Sequence, residues 1–126
     1  MYLGKILSNQ YVLRCRLSQY LFIESRDPFD HIDVREHYNF IQDLAKDGNK
    51  ISVFLVQNGV GPCRKEAQSQ EFLECIRSPN IEILADSLSL QERGMGGDDI
   101  HNEIRIATMD ECTKILMSEG CKAIWH

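Results

Sequence analysis

The sequence predicts an α/β domain of three layers, helices on both faces of a mainly parallel five-stranded sheet, Rossmann-like in the broad sense. Three observations predict it. Short β-branched or aromatic apolar runs alternate along the chain with segments of helical apolar spacing. The run from Ile51 to Val56 is almost continuously apolar, as in a strand covered on both faces. Turn and capping residues fall between the runs.

In chain order, the strand candidates are Tyr20 to Ile23, Ile51 to Val56, Ile81 to Leu84, a weaker Ile104 to Ala107, and Ala123 to Trp125. Between the first two, Val34, Tyr38, Ile41 and Ala45 recur at helical spacing, and Gly48-Asn49 closes that helix. A second helix is predicted to open at Pro62, whose missing N–H costs nothing at a first helical position, and to carry Ala67, Leu73 and Ile76 before Ser78-Pro79-Asn80 stops it. Asp86 through Asp99 reads as a loop. Thr108 and Glu111 have the spacing of a capping box that opens a third helix bearing Cys112, Ile115 and Leu116, with Gly120 at its far end. Residues 1 to 19 stand apart as an N-terminal extension of undetermined structure: strand and helix fit Tyr11 to Arg16 equally, and an extra element or a partner-contacting arm are both open. Residues 20 to 126 form the single domain.

Composition limits the function. The chain has 126 residues, with 14 Lys+Arg against 19 Asp+Glu and a formal net charge of −5, and no stretch is clustered basic; nucleic acid is not an expected partner. Apolar residues make up 43% and charged residues 26%, so a real core can form. No apolar run approaches the roughly 18 residues that cross a bilayer, so no membrane partner is expected. Five cysteines, odd in number and scattered, with no recognisable signal peptide, predict free thiols in a reducing, cytoplasmic compartment. There is no Cys-x-x-Cys or His-x-x-x-His pair, and His31 and His37 are six apart, so no metal site and no cofactor is expected.

In an open parallel sheet, ligands bind beyond the carboxyl ends of the strands, which selects particular loops here. Gly59 and Gly61 read first as a tight turn needing positive φ; a phosphate-binding reading lacks the third glycine, since Arg64 stands there. Cys63, just after Pro62, would sit in the first helical turn, where free amides lower a thiol's pKa, and is the candidate nucleophile. Asp86 should lie at the tip of the third strand as base, acceptor or ion-pair partner of Arg26 or Arg93. Arg26, Asn58, Gly59, Arg93 and Gly94 complete the candidate ligand-binding edge.

Four segments carry a family resemblance: YLFIESRDPFD at 20–30, VFLVQNGV at 53–60, ADSLSLQERG at 85–94 and the closing AIWH at 123–126. On these, the chain from Tyr20 to His126 resembles the DsrE/DsrF-like proteins of sulfur-relay pathways. The resemblance implies an α/β/α fold and symmetric homo-oligomers, commonly trimers or hexamers. Members that carry persulfide sulfur do so on a cysteine eight residues before the glycine of an Arg-Gly pair, and that count from Gly94 lands on Asp86. A carboxylate cannot hold a persulfide. The expected function is therefore an accessory role in sulfur metabolism, binding a small sulfur-bearing or anionic ligand or a sulfur-carrier partner. The alternative is a non-catalytic homo-oligomeric interaction module; a nucleotide-binding enzyme is disfavoured for want of a phosphate loop.

Overall fold

A computed structural model describes residues 19–126. The N-terminal extension, with Cys15, lies outside the described residues, except that Gln19 already belongs to the first strand. The elements run β1 (Gln19–Glu24), α1 (Ile32–Lys46), β2 (Lys50–Leu55), α2 (Gln70–Ile76), β3 (Ile81–Asp86), α3 (Ser87–Glu92), β4 (Arg105–Ala107), α4 (Met109–Leu116) and β5 (Cys121–Trp125). The five strands form one all-parallel sheet in the order β4-β3-β2-β1-β5.

With right-handed crossovers, the direction of each step across the sheet sets the face that its helix covers. From β1 the chain steps in one direction through β2 and β3 to β4, and then returns across the sheet to place β5 on the far side of β1. The reversal puts the covering helices on opposite faces. Val34, Tyr38 and Ile41 of α1 pack with Phe72 and Cys75 of α2 and Leu90 of α3 against Phe22, Val53 and Ile83. On the other face, Leu21, Ile23, Phe54 and Leu84 meet Cys112 and Ile115 of α4. The period-2 alternation of each strand feeds both clusters, which explains why Phe22 and Phe54 are each fully buried while facing opposite ways. Burying one such ring is worth about 1.5–3 kcal/mol.

Local chemistry sets the element ends. Gly48 takes φ +93 and its N–H reaches the Ala45 carbonyl, closing α1. The predicted capping box opens α4: Glu111 N–H donates to Thr108 Oγ1, and Thr108 N–H to Glu111 Oε1. Gly120 turns at φ +78 ahead of β5.

Two expectations are corrected. No α-helix starts at Pro62; residues Gln57–Cys63 form a 3-10 turn and α2 begins only at Gln70. Arg64, instead of continuing a helix, bridges to Ile100 as an isolated antiparallel pair. The stretch from Asp86 to Asp99 is not a plain loop: it holds α3, Gly94 in the left-handed region at φ +67 just past that helix, and a second 3-10 turn at Gly97–Asp99.

Candidate functional site at the carboxyl edge of the sheet

The strand tips Glu24, Val56, Asp86, Ala107 and His126 share one edge, as a parallel sheet requires. Two polar clusters sit along it.

The first cluster is built on Asp86. It is the N-cap of α3, 7% exposed, and its Oδ2 accepts the Ser89 N–H at 3.1 Å and the Ser89 hydroxyl at 2.7 Å. Ser89 Oγ in turn accepts the Gln57 N–H at 2.9 Å. Gln57 adopts φ +52, the left-handed conformation a non-glycine residue rarely takes, and this aims its amide at Ser89. The expected ion pair of Asp86 with Arg26 or Arg93 is not formed. Capping satisfies the carboxylate from within its own helix; Arg26 lies with Asp33 at 3.3 Å, and Arg93 donates to Asn58 Oδ1 at 3.0 Å and to the Ser89 carbonyl at 3.2 Å. Arg64 donates to the Arg93 carbonyl at 3.3 Å, so two guanidinium groups border one cleft of about 290 Å³, facing Asp27 and Asp30. Asp86 itself lines a neighbouring cleft of about 310 Å³ with Gln57, Ser89, Leu88, Met109 and Trp125.

The glycines serve close approach, not positive φ. A Cβ on Gly59 would overlap the carbonyl oxygen of Glu24, and one on Gly61 would lie 2.5 Å from Asp27 Oδ2. The left-handed residue in this turn is Gln57. Gly94, at φ +67, has open space around it and is required by conformation alone.

Cys63 is corrected as an activated nucleophile. It ends a 3-10 turn, is fully buried among apolar side chains, and burial pushes its thiol up to about 12. Burial does the same to Cys75, also to about 12, and raises Cys112. Cys121, half-buried at the start of β5 on the opposite edge of the sheet, is the most accessible described thiol. Timed iodoacetamide labelling read by peptide mass should therefore modify Cys121 well before Cys63 or Cys75; faster labelling of Cys63 would contradict its burial. The raised thiols carry a sign. A folded-state value above the unfolded one near 9 means their stabilisation is complete below pH 9 and is lost as pH climbs towards 12, so the urea midpoint should fall across that window.

The second cluster was not among the sequence candidates. Glu24, fully buried at the tip of β1, accepts from His37 Nδ1 at 3.1 Å and from His126 Nδ1 at 3.0 and 3.1 Å, and the two imidazole rings are 4.3 Å apart. The Arg26 N–H donates to Glu24 Oε2 at 3.2 Å. Linear spacing hides the trio, yet each member has a sequence signal. Glu24 and His126 are the alternate-residue successors of Phe22 and Ile124, which places both on the α1 face, and His37 lies on the stripe between Val34 and Ile41.

With this geometry in place, solved structures supply a comparison. The fold is a known one. The chain superposes on the protein of unknown function MTH1491 from Methanobacterium thermoautotrophicum with a TM-score of 0.72 at 19% identity, over 86% of this chain and 99% of that one. It superposes on the ychN protein of E. coli with a TM-score of 0.73 at 13% identity, over 86% of this chain and all of that one. No family model and no curated protein matches the chain. At these identities the likeness is one of fold, and it agrees with the three-layer α/β/α architecture predicted from the strand and helix pattern. No helix among the described residues is long and apolar enough to cross a membrane.

Proposed function

We propose that this chain is a cytoplasmic DsrE/DsrF-like accessory protein of sulfur metabolism that binds a small anionic or sulfur-bearing group, free or on a carrier partner, and does not itself carry the sulfur. The supporting observation is the pair of guanidinium groups beside one cleft. Arg93 is held by Asn58 and by the Ser89 carbonyl, and Arg64 by the Arg93 carbonyl, so both cations are positioned before any ligand arrives. Asp27, on the facing wall, has one carboxylate oxygen committed to the Phe29 N–H at 2.9 Å. Binding without carriage accords with the Asp86 carboxylate standing where the resembling family's carriers keep a thiol. The described cysteines are free thiols, which suits a reducing compartment.

Titration calorimetry with thiosulfate tests the reading. Binding is expected to be lost in Arg93→Ala and retained in Cys121→Ser, and absence of any binding to the unmodified chain would overturn it.

A second reading, a homo-oligomeric interaction module, has its own support. β5 is an edge strand, and Trp125 is 69% exposed beside Met109 and Leu88 at 52% and 59%, an apolar surface of the kind that subunit contacts cover. Assembly as a trimer or hexamer is expected. Light scattering returning the monomer mass of 14.5 kDa at micromolar concentration would exclude it.

A further inference from the structure

We propose that Glu24, His37 and His126 form a binding site for a divalent first-row transition metal, Zn2+ above all. The site goes beyond the sulfur-ligand reading and stands independently of it.

Placement is the first argument. In an open α/β sheet, ligands enter beyond the carboxyl ends of the strands at the point where the strand order reverses. Here that point lies between β1 and β5, and their two tips are Glu24 and His126. The His126 N–H donates to the Ile23 carbonyl at 2.8 Å and the Ser25 N–H to the His126 carbonyl at 3.1 Å, so strand pairing fixes the two ligand backbones. His37 reaches the same point from α1, its ring set edge-on to Phe22 at 5.2 Å and stacked with Phe40 at 6.3 Å.

Donor chemistry is the second. One ligand atom from each residue falls within 4.8 Å of the other two, and two of the separations are 3.0–3.1 Å. A tetrahedral Zn2+ with bonds of about 2.0–2.1 Å needs donors about 3.3 Å apart, so small side-chain shifts suffice. Two imidazoles with one carboxylate favour Zn2+ and its neighbours over Mg2+ or Ca2+, which require oxygen. On metal entry each imidazole carries its proton on Nε2 and turns the Nδ1 lone pair to the ion. The proton that each Nδ1 donates to Glu24 in the metal-free site is relocated through solvent to Nε2 of the same ring, so the number of protons is unchanged.

The surroundings supply the third. Metal-bound histidines generally donate their other ring N–H to a carboxylate. His126 Nε2 faces Asp33 Oδ2 at 3.6 Å, on the side of the ring away from Glu24. Glu24 is likewise oriented by the Arg26 N–H. The His37 and His126 side chains are 12% and 26% exposed against 1% for Glu24, which leaves the outer side of the trio open to a water or a ligand, as in catalytic rather than closed structural sites.

Equilibrium dialysis of the untagged full chain against Zn2+, read by elemental analysis, is expected to give a single bound ion per chain, with Mg2+ not retained. Co2+ should give visible d–d absorption that Zn2+ abolishes. His126→Ala, at a partly exposed position, should remove binding while the circular dichroism melt still shows a folded chain, and Glu24→Gln should do the same. Asp33→Asn, which touches no metal, should weaken binding about tenfold. Absence of stoichiometric Zn2+, or Zn2+ that survives both His126→Ala and Glu24→Gln, would overturn the proposal.

Discussion

Gly59→Ala is expected to destabilise the domain by about 3 kcal/mol, in the upper range for forced overpacking. The added Cβ has nowhere to go. It would overlap the Glu24 carbonyl oxygen and lie 3.0 Å from the Glu24 carbonyl carbon, both rigid backbone atoms. That oxygen already accepts the Val56 N–H at 3.0 Å, and the Gly59 N–H closes the same turn on the Val56 carbonyl at 2.9 Å. Relief requires the turn after β2 to lift from the tip of β1, breaking the seam that joins the two central strands. The urea midpoint should drop with an unchanged slope, as expected when stability alone has changed. Gly96→Ala provides the contrast. Its φ is −93 and the nearest atom to an added Cβ is Asp99 Oδ2 at 3.6 Å, so its effect should stay within about 0.5 kcal/mol. Equal destabilisation by the two variants would refute close approach as the reason for glycine at position 59. Displacement of Glu24 should also loosen its hold on His37 and His126, so the same variant should lose Zn2+ at metal concentrations that saturate the unmodified chain.

The parts of the fold legible in the sequence are those where burial and periodicity act together. The apolar run from Ile51 to Val56 announces a central strand because both of its faces are covered, and Val34, Tyr38, Ile41 and Ala45 mark α1 because that helix buries one continuous stripe. The cap at Thr108 reads correctly for a different reason, as local chemistry complete between Thr108 and Glu111. α3 escapes detection because six residues are too few to display a period, and its first-turn stabilisation comes from Asp86, a residue that also reads as the end of a strand. Pro62 misleads because a proline suits a 3-10 turn as well as an α-helical first turn, and only the pairing of Arg64 with Ile100 decides between them.

Site residues divide along the same line. Asn58 and Arg93 are both recoverable at the right edge, because each lies in the segment that follows a strand whose direction the pattern reveals, β2 and β3, and the structure joins them at 3.0 Å. Cys63 lies in the expected stretch but in the wrong environment, since activation depended on a helix that is absent there. Glu24 and His126 are 102 residues apart, and nothing local states that β5 returns beside β1; that adjacency is a product of the crossover alone. The resemblance to a sulfur-relay family draws the eye to the tip of β3, whereas the reversal of strand order draws it to the tips of β1 and β5.

Replacing Asp86 separates a structural role from a latent chemical one. Asp86→Ala removes the acceptor for a buried backbone N–H and a buried hydroxyl at once, and should cost about 2 kcal/mol. Asp86→Asn keeps one oxygen in place and should cost about 1 kcal/mol. The loss should propagate to Gln57, whose N–H depends on the Ser89 hydroxyl that Asp86 orients, and hydrogen exchange at the Gln57 amide should accelerate in Asp86→Ala. Asp86→Cys asks whether the edge can hold sulfur. The introduced thiol would stand at the tip of β3, beside the open amides of α3 that favour a thiolate, and on the wall of the 310 Å³ cleft. Offered polysulfide, the folded variant is expected to gain one sulfur atom at position 86 by intact and peptide mass, while the unmodified chain gains none along this edge, its Cys63 being buried. A folded Asp86→Cys chain whose thiol reacts with iodoacetamide and yet takes no sulfur would remove the sulfur reading of the β3 tip. The apolar surface around Trp125, Met109 and Leu88 would then stand as the functional feature of that edge, with subunit or partner contact as its role.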